Sequence, residues 1–356
     1  MATLKVEVVK IDEVKEHINA DSLELVIVKG WQIVVRKGEF KAGQIAVYFP
    51  LDSVLTVELS DTIGVTKYLS NGRVKAAKLR GEPSYGLLWS VEKAEDYIYP
   101  KPFDQRYFGE GMDLTEGLGV TKWEPPLHFT GQDGETPHVL FDKYTEIENM
   151  RNFPDIIQPG ELVVMTEKIH GANCRHGFIE ETYMAGSHNM RFKPTLGELT
   201  NGPNKHFTNK YWYVMTDNMK EMLKSLSVDS GGMPVVAYGE LFGSKVQDLH
   251  YGLENGKISH RCFDIKVNGK YLDYDRFATI SAKFGVDIVP VLYKGEFNME
   301  EVMKFSTSKT FAGGDNIMEG VVVKPYFERF DPKVGRVIMK YVFDQYLTRK
   351  GGTEFK

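Results

Sequence analysis

The stretch that decides the fold is residues 163–173, which read Val163-Val164-Met165-Thr166-Glu167-Lys168-Ile169-His170-Gly171-Ala172-Asn173. An apolar run that ends in a lysine predicts a buried strand with a cationic end. Gly171 follows shortly, and a glycine lets a ligand approach the backbone closely. Such a lysine is a nucleophile if its pKa is lowered, although an ordinary exposed lysine is the commoner arrangement. Alone, the stretch predicts a strand and a candidate nucleophile.

Four further apolar runs follow in the same half of the chain, and each carries polar side chains at or near its end. They are 235–243 with Glu240, 261–267 with Phe263 and Asp264, 318–325 with Glu319 and Lys324, and 335–341 with Lys340. Singly, each is typical of a core strand. In series they supply a lysine, carboxylates, an aromatic surface and further cations, which together are what nucleotidyl transfer requires.

Length and composition limit the class of protein. A chain of 356 residues favours two domains, and its net charge of −5 neither indicates nor excludes a nucleic-acid partner. Its two cysteines and scattered histidines lack the spacing of a disulfide framework or a zinc site. No run of roughly 18 uncharged apolar residues occurs, so we expect a cytoplasmic protein without membrane attachment, in the host cytoplasm if the chain is viral.

Apolar and polar residues alternate in short runs from residue 4 to 50 and again near 86–91, with glycines between them. This pattern predicts a β-barrel of about five strands, of the OB type. The Pro- and Gly-rich region 119–140 is the predicted linker, between an OB-fold domain at 1–118 and a second domain at 141–356. Helices are predicted at 209–227 and at 275–284, the second with Asp275 as its N-cap.

The segment around Lys168 resembles motif I of the bacteriophage T4 RNA ligase 2 family, in which His170 replaces the aspartate usual in DNA ligases and capping enzymes. The four later runs are similar to motifs III, IIIa, IV and V of that superfamily, in the same order. Phe141-Asp142-Lys143-Tyr144 resembles the start of its nucleotidyltransferase domain. The resemblance covers about 141–345. It implies an α+β fold in which the OB-type barrel precedes an ATP-grasp-like, antiparallel-sheet adenylyltransferase domain.

The resemblance also implies roles for individual residues. Lys168 would carry AMP, with Glu319 assisting that step through a metal. His170 and Asn173 would act in the later RNA steps, in which Asn173 would bind RNA. Glu240 would bind the ribose and, with Glu319, a Mg²⁺ or Mn²⁺ ion. The remaining implied contacts to ATP are Glu167, Asn173, Arg191, Phe263, Val322, Lys324 and Lys340, of which Phe263 and Val322 would sandwich the adenine.

Motif V departs from the family, which has two lysines one residue apart, whereas this chain has Lys340 and then Val342. One phosphate contact is therefore missing, or it comes from Arg336 or Lys324. The N-terminal barrel resembles that of the Deinococcus- and Naegleria-type RNA ligases. The expected function is thus ATP-dependent sealing, by a monomer, of RNA ends that carry a 3′-hydroxyl and a 5′-phosphate, as at a nick in a duplex.

The N-terminal half contains a basic cluster of Arg73, Lys75, Lys78 and Arg80. It either binds RNA phosphates or forms a solvated hairpin. Trp31 and Trp89 are expected in the core of the barrel rather than stacked on bases. Two alternatives to an RNA ligase stay open: a DNA ligase or capping-type enzyme with the same covalent intermediate, and an RNA-binding protein without catalysis.

Overall fold

The computed structural model describes residues 4–99, 108–124, 134–194 and 209–349. The chain divides into two compact units, of which the first is Met1–Pro126 with Leu347–Lys356 and the second is Leu127–Tyr346. This division falls within the predicted linker 119–140, whose residues 125–133 lie outside the described residues.

The first unit is built from short antiparallel strands. They are β1 Glu7–Lys10, β2 Glu13–Glu16, β3 Leu23–Val28, β4 Trp31–Arg36, β5 Ile45–Phe49, β6 Ser53–Val54, β7 Ala77–Leu79, β8 Glu82–Ser84, β9 Leu87–Trp89 and β10 Thr121–Lys122, with helices α1 Val57–Ile63 and α2 Val91–Ile98. The main sheets are ordered β1-β5-β9 and β2-β3-β4, and β7 pairs with β8. Trp31 and Trp89 are buried in the core, as predicted.

The second unit contains two larger sheets. Its strands are β11 Gly134–Glu135, β12 Glu148–Asn149, β13 Leu162–Lys168, β14 Ala172–Ile179, β15 Thr182–Ser187, β16 Arg191–Phe192, β17 Val235–Gly243, β18 Ile258–Val267, β19 Lys270–Tyr271, β20 Val291–Glu296, β21 Gly320–Pro325, β22 Phe330–Asp331, β23 Gly335–Arg336 and β24 Met339–Val342. One sheet has the order β11-β16-β15-β14-β17-β18-β19, and the other has the order β12-β24-β21-β13-β20. Together they form the sheet-rich α+β domain that was expected.

The helices correct two sequence predictions. They are α3 Lys210–Tyr213, α4 Asp217–Asp229, α5 Tyr274–Phe284, α6 Met299–Met303 and α7 Asp344–Leu347. A single helix at 209–227 was wrong, because Thr216 is extended (ψ 163°) and separates α3 from α4. Its hydroxyl caps α4 by accepting from the Met219 amide at 3.2 Å. Asp273, not Asp275, holds the N-cap position of α5.

The chain passes from one sheet to the other between Lys168 and Ala172. Val163 and Met165 on β13 pack in a core with Val321 and Val323 of β21. Because side chains alternate along a strand, Lys168 and Val322 lie on the opposite face of that sheet. A separate apolar cluster there includes residues of the seven-stranded sheet, with Phe263 and Val322 packed against it.

Candidate active site

Lys168 is the last residue of β13, and its ammonium lies beside a buried carboxylate. Lys168 Nζ donates to Glu319 Oε1 at 2.5 Å. The register explains this contact, since Lys168 pairs with Gly320, the first residue of β21. Gly320 has no room for a side chain, because a Cβ there would lie 2.2 Å from the Tyr341 carbonyl oxygen. Close strand packing therefore fixes the carboxylate next to the lysine.

Glu319 is 1% exposed, and its Oε2 has no hydrogen-bond partner among the described residues. His170 Nδ1 lies 3.9 Å from that oxygen. The ring is held on both sides, since its Nε2 contacts Asp248 Oδ1 at 2.7 Å and its Nδ1 contacts the Tyr346 hydroxyl at 2.8 Å. Burial lowers the pKa of His170, although the charge of Glu319 opposes this. His170 is thus a ring with a lowered pKa, held in one orientation beside the Lys168–Glu319 pair.

Glu167 points to the other face of β13. Its carboxylate accepts from the Thr310 hydroxyl and from the Phe311 amide, the latter at 2.8 Å. Burial raises the pKa of Glu167. Glu167 was predicted to contact ATP. In the structure it is instead hydrogen-bonded to the loop at residues 310–311, and this bond anchors the strand that carries Lys168.

Glu240 and Asn173 pair across β17 and β14. Burial raises the pKa of Glu240 to about 8, with Lys168 lowering it and Glu319 raising it, so all three groups share one electrostatic environment. Asn173 Oδ1 is buried without a hydrogen-bond partner among the described residues. Gly171 allows the close approach, because a Cβ there would lie 2.2 Å from the Leu241 carbonyl oxygen.

A β-bulge presents Phe263. Tyr238 pairs with Asp264 and the next residue, Gly239, pairs with Cys262, so Phe263 is the extra residue on β18. Bulges often turn a side chain toward a functional site. The Phe263 ring lies 4.8 Å from that of Tyr144, centroid to centroid, and both Phe263 and Val322 pack against the cluster between the sheets.

Lys324 belongs to an internal network of charges. Its Nζ donates to Asp264 Oδ1 at 2.8 Å, while Arg336 and Tyr144 donate to Asp264 Oδ2 at 2.7 and 2.6 Å. Arg336 also pairs with Glu328 at 2.6 Å. Burial by itself would raise the pKa of Asp264, but Arg336 and then Lys324 outweigh it and hold the pKa below its ordinary value. Lys324 and Arg336, the two candidates for the missing motif V contact, are both held by Asp264.

The other two predicted cations lie elsewhere in the second unit. Lys340 is half-buried and pairs in register with Val322, which puts it on the Lys168 face of the five-stranded sheet. Arg191 lies on β16, with its Nε 2.8 Å from Glu135 Oε2. No described contact joins Arg191 to Lys168.

The basic cluster of the first unit separates into two parts. Arg73 is buried, with its Nη2 2.6 Å from Asp52 Oδ1 and its guanidinium 3.5 Å from the centroid of the Trp123 ring. Lys75, Lys78 and Arg80 are exposed on and before the β7–β8 hairpin. The structure brings three of the four predicted residues to the surface and holds Arg73 in an internal ion pair.

Sequence reasoning missed the residues that position the site. Asp248 and Tyr346 orient His170. Tyr144 and Asp264, which the sequence showed only as members of resembling segments, hold Lys324 and Arg336 in the internal charge network. Their only sequence signal was a position inside or next to a resembling motif, because a hydrogen-bond partner far along the chain leaves no local pattern.

The chain has an N-terminal unit of short antiparallel strands, followed by two adjoining sheets that meet at a strand-end lysine. This is the architecture of an OB-fold protein with a nucleotidyltransferase domain. The profile of the RNA ligase family matches residues 161–342, and an OB-fold domain profile matches residues 5–91. The chain therefore belongs to the RNA ligase family. No curated protein sequence matches it.

Solved structures with the same fold include several of an RNA ligase from Naegleria gruberi. The complex described with PPi is 24% identical, covers 97% of this chain and 98% of that one, and has a TM-score of 0.74. A lysine-to-alanine mutant with ATP and Mn is 23% identical with the same coverage and a TM-score of 0.74. A glutamate-to-alanine mutant with AMP and Mn is 23% identical, with a TM-score of 0.75. None of the described helices has the length and apolar character needed to span a membrane.

Proposed function

We propose that the chain is an ATP-dependent RNA ligase that seals 3′-hydroxyl and 5′-phosphate RNA ends through AMP bound to Lys168. The observation that carries this proposal is the 2.5 Å contact between Lys168 Nζ and Glu319 Oε1 at the junction of two sheets. A protein that only bound RNA would not need a strand-end amine beside a buried carboxylate. Naegleria structures described with ATP or AMP and Mn support nucleotide and metal use by the fold.

The reaction would have three balanced steps. Neutral Lys168 Nζ attacks the α-phosphorus of ATP, the bond to the β-phosphate oxygen breaks, and pyrophosphate leaves. An RNA 5′-phosphate oxygen then attacks the same phosphorus and breaks the P–N bond, which returns the lysine as an amine. Finally an RNA 3′-hydroxyl attacks the 5′-phosphorus, AMP leaves, and a phosphodiester forms. Positioning and charge neutralisation supply most of the rate in such transfers.

Glu319 is the group that would receive the proton of Lys168, because the two are in direct contact. His170 lies next to this pair and is proposed to act in the steps that use RNA. Its hydrogen bonds to Asp248 and Tyr346 fix the ring for that role. Asn173, with an unpaired buried oxygen, is proposed to bind the AMP ribose or the RNA end.

The site also suits a hard divalent cation. Glu319 Oε2 is buried without a partner among the described residues, and Glu240 faces the same charges, so two carboxylates lie where a cation would relieve their repulsion. Carboxylate oxygens are the ligands that Mg²⁺ and Mn²⁺ prefer. Glu240 and Glu319 would hold the ion, which would offset negative charge on the phosphates.

Phe263 and Val322 are proposed to enclose the adenine, and Glu240 to bind the ribose. Lys340 is the proposed phosphate contact of motif V. Lys324 and Arg336 are bound to Asp264, so we assign neither as a replacement for the second lysine. Glu167 and Arg191 are proposed to act indirectly, since each is engaged by a neighbouring group.

The test is covalent labelling. Full-length protein incubated with α-labelled ATP and Mg²⁺ should acquire AMP, and Lys168→Ala should not. Lys309→Ala is the matched control, because that lysine is exposed and pairs only with exposed Asp315 among the described contacts. Labelling of Lys168→Ala at the wild-type level refutes the proposal. Labelling by GTP instead of ATP would favour a capping-type enzyme, and RNA binding without any labelling would favour a non-catalytic protein.

The acceptor is tested separately. We propose a nicked duplex with a 3′-ribose at the nick, sealed by a monomer. A panel of nicked duplexes with a ribose or a deoxyribose at the 3′ end should show faster sealing of the ribose substrate. Equal or faster sealing of the deoxyribose nick contradicts this choice and favours a DNA ligase.

Lys75, Lys78 and Arg80 are the proposed RNA-phosphate contacts of the first unit. Each phosphate contact that is lost lowers the slope of log affinity against log salt by about 1. Lys78→Ala and Arg80→Ala should each weaken RNA binding and reduce that slope, whereas Lys93→Ala, an equal charge change on α2, should not. An unchanged slope in both hairpin variants means that the cluster is a solvated hairpin.

A further inference from the structure

A second group of reactive side chains lies on the face of the seven-stranded sheet opposite Asn173. It consists of Cys174 and His176 on β14 and His260 on β18. Strand alternation puts Cys174 and His176 on this face, where Cys174 packs in the core with α3 and α4. None of the three takes part in the proposed ligase chemistry.

The three side chains converge closely enough to share an ion. One donor atom from each lies within 4.8 Å of the other two. The side chains are already in contact, since Cys174 Sγ is 3.3 Å from the His176 ring at Nε2 and the two imidazole centroids are 4.9 Å apart. A tetrahedral zinc ion with one thiolate and two imidazoles spaces its donors by about 3.3–3.6 Å. Small side-chain rotations would therefore complete three positions of a tetrahedron.

Two ring nitrogens in this cluster lack partners. His176 Nδ1 and His260 Nε2 are buried without a hydrogen bond in the part of the chain that the structure describes. Leaving a buried polar atom unpaired costs about 1–3 kcal/mol, which a bound ion would relieve. His176 Nε2 lies 3.0 Å from the Tyr211 carbonyl oxygen. A bound ion would therefore take His176 Nδ1 and leave Nε2 to donate to that carbonyl, as metal-binding histidines commonly do.

Gly239 makes the convergence possible. It lies on β17 between β14 and β18, paired with Cys174 on one side and Cys262 on the other. A Cβ at Gly239 would lie 2.1 Å from His260 Nε2, so only a glycine lets that ring reach across β17. Side chains from two non-adjacent strands thus meet over the glycine next to Glu240.

A cavity adjoins the cluster on the side of His260. It has a volume of about 280 Å³ and is lined by His260 together with Met219, Ser259 and Asp287, among others. It provides space next to His260 for water as a fourth ligand.

We propose that Cys174, His176 and His260 form a binding site for one divalent cation of the zinc class, completed by water from the cavity. A donor set of one sulfur and two nitrogens suits Zn²⁺ and not Mg²⁺. The ion would join β14 to β18 across β17 and so stiffen the sheet that carries Asn173, Glu240 and Phe263. The proposal does not depend on ligase activity.

The experiment is metal loading of the full-length protein. After incubation with Zn²⁺ and removal of excess metal, the wild type should retain one zinc ion per chain by elemental analysis. With Co²⁺, it should show the near-ultraviolet charge-transfer absorption of a thiolate–cobalt bond. Cys174→Ser and His260→Ala should lose both signals. Cys262→Ser is the matched control, since it removes the other buried thiol and should keep both.

Two further measurements separate this site from the carboxylates near Lys168 and from misfolding. Glu319→Gln should still bind zinc and show the cobalt absorption. Zn²⁺ should raise the Tm of the wild type and of Glu319→Gln, but not of His260→Ala, whose ring lines a cavity and whose loss should leave the fold intact. Absence of the cobalt absorption in the wild type overturns the proposal, as does undiminished zinc retention in His260→Ala.

Discussion

Replacing Asp264 by asparagine should destabilise the second unit severely. Asp264 is fully buried and accepts from Tyr144, Lys324 and Arg336 at 2.6, 2.8 and 2.7 Å. With Glu328, it balances the charges of Lys324 and Arg336. Asparagine keeps the shape but leaves one buried positive charge unbalanced.

The size of the effect follows from that charge count. Removing one partner from a buried ion pair typically costs about 3–5 kcal/mol, because an uncompensated charge remains inside the protein. Lys324→Met in the Asp264→Asn background removes the excess charge and leaves Arg336 paired with Glu328. The double variant should therefore be more stable than Asp264→Asn by about 1–3 kcal/mol.

The pH dependence has a defined sign. The pKa of Asp264 is lower in the folded protein than its ordinary value of 3.8. Its contribution to stability is therefore complete above pH 3.8 and is lost as the pH falls through the lower folded pKa. Asp264→Asn should lack this acid-induced loss, so the stabilities of the wild type and the variant should converge as the pH falls.

The assay must report on the second unit alone. Of the four tryptophans, Trp212 is the one in that unit, and it is buried. Urea unfolding followed by ¹⁹F NMR of 5-fluorotryptophan-labelled protein isolates its signal, which Trp212→Phe assigns. A loss below 1 kcal/mol in Asp264→Asn at pH 7, or no recovery in the double variant, would refute the charge-balance reasoning.

Three other substitutions test single contacts. Glu319→Gln should slow lysyl-AMP formation about 10²–10⁴-fold in single-turnover labelling, because it removes the proton acceptor beside Lys168. A rate within about threefold of the wild-type rate would contradict that role. Gly320→Ala should destabilise the unit by about 1–3 kcal/mol in urea unfolding, since its Cβ meets the Tyr341 carbonyl oxygen, and an unchanged midpoint would show that the strands yield. Thr216→Ala should cost about 1 kcal/mol by the same measurement, through loss of the α4 cap, and equal stability would argue that another group replaces the hydroxyl.

Local patterns predicted the strands well and their partners poorly. The run ending at Lys168 and the run beginning near Glu319 are recognisable because burial and alternation act over a few residues. That these two side chains touch depends on the register of β13 and β21, which joins residues 151 positions apart. Only the resemblance to a ligase family linked them in the sequence.

Lys324 and the Cys174 cluster show more clearly what local sequence patterns cannot predict. A lysine at the end of an apolar run is expected to be exposed. Lys324 is buried instead, because its ammonium donates a hydrogen bond to Asp264 on the other sheet. His176 and His260 are far apart in sequence and share no spacing typical of a metal site, yet β14 and β18 bring them together across Gly239. In both cases a distant strand supplies the partner.

The long separation between Lys168 and Glu319 also sets when the site can form during synthesis. A nascent chain exposes the lysine well before the carboxylate that completes the site. The two residues are 151 positions apart, so at about 5–20 residues per second the delay is roughly 8–30 s. The five-stranded sheet cannot close until β21 and β24 have left the ribosome. The proposed self-adenylylation is therefore open only to a chain whose C-terminal strands have been made and paired.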